Sequence, residues 1–126
     1  MQAFKTRTFA KWASRAGLDD DALATAVQDM QGGLIDAHLG GEVVKKRLAL
    51  PGRGKRGGVR TLIAFRQDEK AFFIFGFAKN VRANVSNDEL KALKLLAQEL
   101  LSYSATSLNK AVQAGELIEI EVSNDG

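Results

Sequence analysis

The chain has 126 residues, no cysteine, one histidine and a formal net charge of +3, and 45% of its residues are hydrophobic. This length predicts a single domain over residues 1–126 with one hydrophobic core. The lack of cysteine excludes disulfide bonds, thiolate metal sites and a cysteine nucleophile. We expect no cofactor and no metal. Because neither an apolar run of roughly 18 residues nor a signal peptide is present, a cytoplasmic protein is the default expectation.

The first part of the sequence predicts a strand and a pair of short helices. Residues 3–7 alternate small or apolar with polar side chains, which is typical of a strand. A helix follows, with Thr8 as its expected N-cap and Gly17 at its C-terminus. Asp19 begins the second helix, because three successive aspartates supply an N-cap and the negative first turn that a helix dipole favours.

The next segment predicts a loop and then a strand with a basic face. Residues 34–41 are bracketed by glycine pairs and fit a turn of helix, an irregular loop or a poor strand, of which we predict the loop. Residues 43–50 alternate as a strand does, which places Lys46 on one face and Lys45 and Arg47 on the other.

Two further strands, residues 59–66 and 71–78, are predicted to form an antiparallel hairpin. The second of them is apolar on both faces, so we expect it at the centre of the sheet with cover on both sides. Its phenylalanines are interpreted as core residues, and stacking on RNA bases is the alternative.

The C-terminal part predicts two helices and a last strand. Ser86 and Glu89 fit a capping box ahead of leucines at helical spacing. A second helical piece is expected at residues 107–114 and an acidic strand at residues 117–122. The predicted fold is therefore α+β, a small and mostly antiparallel sheet with an N-terminal helix pair and a C-terminal helix.

Positive charge is concentrated in residues 45–60. Seven of these sixteen residues are basic and none is acidic, so subtraction of seven charges from +3 leaves the rest of the chain at about −4. The seven are Lys45, Lys46, Arg47, Arg53, Lys55, Arg56 and Arg60. Glycines among them let the backbone come close to a ligand, and clustered Lys and Arg favour a polyanion through counterion release. The segment therefore predicts a phosphate-binding surface.

A second basic cluster, Lys79 and Arg82, follows the aromatic strand. In the predicted hairpin Arg60 lies across from Lys79, so we expect the two clusters to meet at one end of the sheet. A positive concavity of this kind is typical of a surface for a nucleic-acid backbone, and the alternative is a solvated basic rim.

Two familiar nucleotide motifs do not explain the glycines. The spacing Gly52-x-Gly54-x-x-Gly57 matches a dinucleotide fingerprint, but it leads into a strand, so no helix N-terminus is available for a pyrophosphate. A P-loop is excluded because no Ser or Thr follows Lys55 to hold magnesium.

The combined motifs resemble the HigB branch of the RelE-like toxins of type II toxin–antitoxin systems. They are Gly52-x-Gly54-Lys55-x-Gly57-Gly58-x-Arg60, the preceding Lys45-Lys46-Arg47-Leu48 and the following Phe77-Ala78-Lys79-x-x-Arg82-Ala83-Asn84. The resemblance covers most of the chain. It implies a RelE-like fold, metal-independent cleavage of messenger RNA at the ribosome by an endoribonuclease (mRNA interferase) that represses translation, and neutralisation by a helix-turn-helix antitoxin.

The resemblance also implies roles for individual residues. Arg60 would hold the scissile phosphate, Lys79 would stabilise charge or donate a proton, and Arg82 would complete the catalytic set. The implied RNA-binding residues are Lys45, Lys46, Arg47, Arg53, Lys55 and Arg56.

The sequence leaves the general acid or base unassigned. Relatives place a tyrosine or histidine near the C-terminal end of the fold, and residues 79–87 contain neither. Tyr103 and His38 are the remaining candidates, although each is interpreted first as structural. A lysine with a pKa lowered by neighbouring cations is a further candidate, which keeps Lys79 in consideration.

Two other functions stay open. One is a non-catalytic translation inhibitor that binds RNA or the ribosome, and the other is a gyrase-directed toxin on the same superfold. The reaction products distinguish these functions from the endoribonuclease, because only an endoribonuclease yields cut transcripts.

Overall fold

The structure is a computed structural model, and it describes residues 1–50 and 54–122, with the side chains of residues 54–57 outside the description. Within these ranges it contains six strands and four helices. In chain order they are β1 (Gln2–Thr6), α1 (Arg7–Ala16), α2 (Asp20–Gln31), β2 (Ala37–Gly40), β3 (Val43–Leu50), β4 (Gly54–Arg66), β5 (Lys70–Ala78), α3 (Asn87–Leu101), α4 (Ala105–Gln113) and β6 (Leu117–Ile120).

The strands form one sheet in the order β2-β3-β4-β5-β1-β6. Every neighbouring pair is antiparallel except β1 and β5, which run parallel. The predicted α+β fold with a mostly antiparallel sheet is confirmed. The hairpin of β4 and β5 is also confirmed, and β5 lies inside the sheet between β4 and β1.

The two first helices begin and end at capping residues. Gly17 ends α1 in the left-handed conformation with φ 83°, and the Asp19 side chain accepts a hydrogen bond from the Ala22 N–H at 2.9 Å, both as predicted. The prediction that Thr8 caps α1 is wrong. The cap is Thr6, whose hydroxyl accepts from the Phe9 N–H at 3.1 Å, because β1 passes directly into the helix with no intervening loop.

Residues 34–41, predicted as loop, contain the short strand β2. The strand is formed by backbone pairing with β3, in which Ala37 lies opposite Lys45 and His38 opposite Val44. Side-chain alternation did not reveal it, because such pairing depends on a neighbour and not on the hydrophobic pattern. Strand β4 likewise begins at Gly54, ahead of the predicted residue 59, through its pairing with β3.

The C-terminal helices follow their predicted signals closely. Ser86 and Glu89 form the capping box of α3 with both reciprocal hydrogen bonds present. Helix α4 begins two residues earlier than predicted, because Ser104 caps it by accepting from the Ser107 N–H at 3.1 Å.

Each face of the sheet carries its own hydrophobic core. One core joins the sheet to α1 and α2 and contains Phe9, Val27 and Phe73, and we call this side the α1 face. The other joins it to α3 and α4 and contains Phe72 and Leu100, and we call this side the α3 face. Strand β5 contributes to both cores, as its apolar sequence predicts.

A β-bulge in β5 changes the face on which its later residues lie. Leu62 of β4 pairs with Phe75 and the next residue, Ile63, pairs with Phe73, so β5 has one extra residue at this point. Ile74 and Phe75 therefore both lie on the α3 face, whereas Gly76 lies on the α1 face beneath Trp12.

We expect Gly76→Ala to destabilise the protein by about 1–3 kcal/mol, which is typical of overpacking. A Cβ atom on Gly76 would overlap the Trp12 indole ring, so α1 or β5 would have to move. Urea unfolding measures the change. The control is Gly32→Ala, where the nearest atom to an added Cβ is the Asp29 carbonyl oxygen at 3.5 Å, an ordinary contact. Equal stability of the two variants would contradict the prediction, and Trp12→Leu should restore part of the loss in Gly76→Ala.

Candidate nucleic-acid interface

One end of the α3 face is not covered by α3 and carries basic and aromatic side chains. Leu62 is fully buried beneath the helix, whereas Arg60, two residues earlier on the same face of β4, is half-buried. Lys45 is half-buried and Arg47 is exposed on the neighbouring strand β3. We call this region the open strip; it consists of Lys45, Arg47, Arg60, Phe75, Phe77 and Arg82.

Strand register determines the order of the side chains across the open strip. Arg47 of β3 lies opposite Arg60 of β4, and Arg60 lies opposite Phe77 of β5. The adjacent row is formed by Lys45, Leu62 and Phe75. The strip therefore has a cationic side over β3 and β4 and an aromatic side over β5.

The direct pairing of Arg47 with Arg60 costs stability. Side chains directly opposite each other in antiparallel strands have Cβ atoms about 5 Å apart, and like charges at such positions are destabilising. No ion pair between either arginine and a carboxylate occurs among the described residues. An anion placed between the two guanidinium groups would remove the repulsion and gain charge-assisted hydrogen bonds from both.

The aromatic side of the strip lies beneath Arg82. Its guanidinium carbon is 5.1 Å from the centroid of the Phe75 ring and 5.5 Å from that of the Phe77 ring, both within cation–π range. The two rings are 6.2 Å apart and tilted by 46°. Phe77 is buried and Phe75 is half-buried, so the planar guanidinium forms the outer surface of this part of the strip.

Glu89 fixes the position of Arg82. Its two carboxylate oxygens accept hydrogen bonds from both terminal nitrogens of Arg82, at 2.8 and 2.7 Å. Oε1 also accepts from the Ser86 N–H at 2.8 Å, which closes the capping box of α3. The hydrogen bonds from Arg82 and then from the Ser86 backbone lower the pKa of Glu89 from 4.5 to about 2. One carboxylate thus joins the cap of α3 to the cation over the aromatic rings.

A family model matches residues 1–120, and its description is RelE toxin of the RelE / RelB toxin–antitoxin system. The chain belongs to the RelE toxin family. No curated protein matched the chain in a sequence search. Membership of this family makes the protein a toxin of a toxin–antitoxin system, in which a toxin is paired with an antitoxin protein.

The structure separates the predicted RNA-binding residues of this RelE-family chain. Lys45 and Arg47 lie on the open strip, whereas Lys46 is only 9% exposed and lies on the opposite, α1 face. The Lys46 Nζ donates to the Leu34 carbonyl oxygen at 2.9 Å and lies 3.6 Å from the Asp29 carboxylate. We therefore leave Lys46 out of the interface.

The basic glycine-rich segment is only partly described. Arg53 lies outside the described residues. The backbones of Lys55 and Arg56 belong to β4, and their side chains lie outside the description. Their predicted contacts with RNA stay predictions.

The predicted position of Lys79 opposite Arg60 is corrected by the strand register. The partner of Arg60 is Phe77, and β5 ends at Ala78, which pairs with Val59. Lys79 is exposed in the turn after β5, past the last strand pair. It thus lies beyond the Arg60 row, at the same end of the hairpin as the open strip.

Neither Tyr103 nor His38 belongs to the open strip. The Leu101 carbonyl oxygen, two residues before Tyr103, accepts from Arg66 at 3.4 Å, and Arg66 is six strand residues or about 20 Å from Arg60. Burial, and then Glu99 and Glu116, raise the pKa of Tyr103, so it is a poorer proton donor than an ordinary tyrosine. His38 pairs with Val44, whose side chain faces the α1 core.

Sequence reasoning missed two parts of this site. The aromatic side of the open strip was missed because strict alternation does not anticipate the bulge at Ile74 and Phe75. Glu89 was recognised only as a helix cap, since nothing in the sequence shows that the loop of residues 79–85 brings Arg82 to it.

The described residues contain neither a group of side chains suited to a metal ion nor a membrane-spanning helix. No group of three or more histidine, aspartate or glutamate side chains in residues 1–50 and 54–122 could hold a metal ion. Across the same ranges no helix is long and apolar enough to span a membrane.

We expect Glu89→Gln to lose a stabilising interaction that depends on pH. Because the folded-state pKa of Glu89 is lowered, the carboxylate stabilises the fold fully above about pH 4.5, and this contribution is lost as the pH falls toward 2. Glutamine keeps the capping box but not the charge. The difference in unfolding free energy between the parent and Glu89→Gln, measured by urea unfolding, should therefore shrink between pH 4.5 and 2.

The control is Glu99→Gln, an exposed position later in α3 that forms no ion pair among the described residues. Its difference from the parent should stay constant over the same range. A constant difference for Glu89→Gln would show that the Arg82 pair does not contribute to stability.

Proposed function

We propose that the chain is an mRNA endoribonuclease of the HigB branch, which acts on messenger RNA at the ribosome in the cytoplasm and so represses translation. A helix-turn-helix antitoxin is the proposed neutralising partner. The observation that carries the proposal is the open strip, in which Arg47 and Arg60 face each other and neither guanidinium forms an ion pair with a carboxylate in the described part of the chain.

The open strip fits a single-stranded RNA better than a small anion. Two arginines and Lys45 supply cations along β3 and β4 for successive phosphates. On the other side the Arg82 guanidinium presents a flat outer surface held from below by two phenylalanine rings. Arginine planes stack on unpaired RNA bases, so the strip can bind backbone and base at once.

The proposed reaction is attack of the 2′-hydroxyl oxygen on the adjacent phosphorus. The P–O5′ bond breaks, so a 2′,3′-cyclic phosphate forms. The proton of the 2′-hydroxyl passes to solvent water, the 5′-oxygen leaves with a proton from Lys79, and Lys79 regains its proton from solvent. Arg60, helped by Arg47, would stabilise the negative charge on the non-bridging oxygens, which is the role of preorganised donors in such sites. Lys79 at the rim would protonate the leaving oxygen, and Arg82 would hold the neighbouring base.

A non-catalytic inhibitor is the second candidate, because a specific observation favours it. The described side chains of the open strip are cationic or aromatic. The adjacent carboxylate, Glu89, has a pKa of about 2 and is a weak base at neutral pH. Such a surface would bind message on the ribosome without cutting it.

We expect Arg60→Ala to lower cleavage of message on programmed ribosomes about 100-fold or more, because removal of one donor to a developing oxyanion has an effect of this size. Primer extension on the transcript measures cleavage. Lys110→Ala, which removes an exposed cation from α4, is the control and should cut normally. If translation stops while transcripts stay intact with the parent protein, the binding function replaces the enzymatic one.

Tyr103→Phe and His38→Asn should both cut message at the parent rate. Tyr103 follows Leu101, which lies beside Arg66 at the far end of β4, and His38 is on the α1 face of the sheet, so we expect neither side chain to take part in proton transfer at the open strip. Single-turnover cleavage rates, measured alongside circular dichroism to verify folding, provide the comparison. A loss of more than about tenfold for either folded variant would mean that the reaction takes place elsewhere on the molecule.

A further inference from the structure

Helix α1 carries a line of basic side chains on the opposite side of the molecule from the open strip. Arg7, Lys11 and Arg15 recur every four residues, so they lie along one face of the helix, about 6 Å apart in rise. All three are exposed. They line, with Ser14 and Ile118, a groove of about 540 Å³ between α1 and the edge strand β6. We call these three residues the α1 stripe.

The α1 stripe has no anionic partner among the described residues. The four ion pairs in that part of the chain involve other cations, namely Lys5, Lys46, Arg66 and Arg82. Helix α1 itself contains no acidic residue. Its positive charge is therefore not neutralised within the described ranges.

Arg15 lies in the last turn of α1, where a cation is favourable, but the rest of the arrangement works against the stability of the helix. Like charges four residues apart on a helix repel each other, which applies to both neighbouring pairs of the stripe. Arg7 is also the first residue of the helix, where a positive charge opposes the macrodipole. Helix α2 shows the stabilising arrangement, with Asp20 and Asp21 in its first turn. A helix face that contacts only solvent gives no reason to place like charges four residues apart or a cation at the first helical residue. Binding of an anionic ligand to these side chains is the better explanation for their positions.

We propose that the α1 stripe is a second RNA-binding surface, which binds the phosphate backbone of structured ribosomal RNA while the open strip holds the message. The inference rests on the proposed function. Helix α1 packs on the α1 face of the sheet, and its stripe lines a groove beside the edge strand β6, whereas the open strip lies on the α3 face over β3, β4 and β5. The two surfaces therefore lie on different sides of the sheet. The toxin would thus lie between two RNA elements and contact both.

The geometry fits a nucleic-acid backbone. The nine residues of helix from Arg7 to Arg15 span about 12 Å, which matches the axial length of three or four base steps of a duplex at about 3.4 Å per step. The α1 stripe presents its charges in a straight line, and side chains cannot read bases in the deep, narrow major groove of an RNA duplex, so recognition would depend on backbone charge and shape.

The test compares two variants of equal net charge in binding to purified prokaryotic ribosomes without message. Arg7→Gln/Lys11→Gln removes two charges of the stripe, and Lys91→Gln/Lys110→Gln removes two exposed charges from α3 and α4. Glutamine is chosen because its helix propensity is close to that of Lys and Arg. The stripe variant should bind about tenfold more weakly or worse, and the slope of log K against log salt should fall by roughly 1 to 2.

Two further measurements separate this inference from the proposed function. Arg7→Gln alone should melt at the same or a higher temperature while binding ribosomes more weakly, which a purely structural arginine would not do. Arg60→Ala should lose cleavage and keep most ribosome binding.

Equal ribosome affinities and equal salt slopes for the two double variants would overturn the RNA-binding role of the α1 stripe. The proposed function would stand in that case if Arg60→Ala still abolished cleavage. A stripe variant that binds ribosomes normally and loses only the antitoxin would also overturn the RNA assignment. A lower melting temperature for Arg7→Gln would show that Arg7 is kept for the helix.

Discussion

The bulge in β5 is the constraint on which the site depends. It is a single extra residue in a strand that is buried on both faces, and it reverses the alternation halfway along. Upstream, Phe73 faces α1 and Phe72 faces α3; downstream, Phe75 and Phe77 face the α3 side and Gly76 faces Trp12. The same feature therefore makes room for α1 on one face and places two aromatic rings beneath Arg82 on the other.

The open strip combines a pair of like charges that costs stability with an ion pair that fixes the neighbouring loop. Arg47 and Arg60 are held together by strand register, which the rest of the hairpin enforces through buried residues such as Leu62. Glu89 then anchors the adjacent loop, since it binds Arg82 and caps α3 at once. Repulsion on one side and a fixed guanidinium on the other are the expected state of a polyanion-binding surface before its ligand arrives.

Most of the secondary structure could be predicted, because local signals determine it. Gly17, Asp19 and the Ser86 capping box end or begin helices through their own backbone and side-chain geometry, and each was found where the sequence placed it. Where the position of another strand decided the secondary structure, the prediction from sequence was wrong. Strand β2 forms through pairing with β3, and α1 is capped by Thr6 because β1 ends there and passes directly into the helix.

The sequence by itself determined the class of fold, the end of α1, the starts of α2 and α3 and the concentration of cations in residues 45–60, since these depend on residue type and spacing. It also placed Lys46 on the opposite face from Lys45 and Arg47. Only the tertiary structure decided which cations share a surface. Lys46 is buried and bonded to the Leu34 carbonyl oxygen, and strand register places Arg47 opposite Arg60. The bulge in β5 brings Phe77 to the same face as these two arginines. Such long-range pairing and packing have no local signature in the sequence.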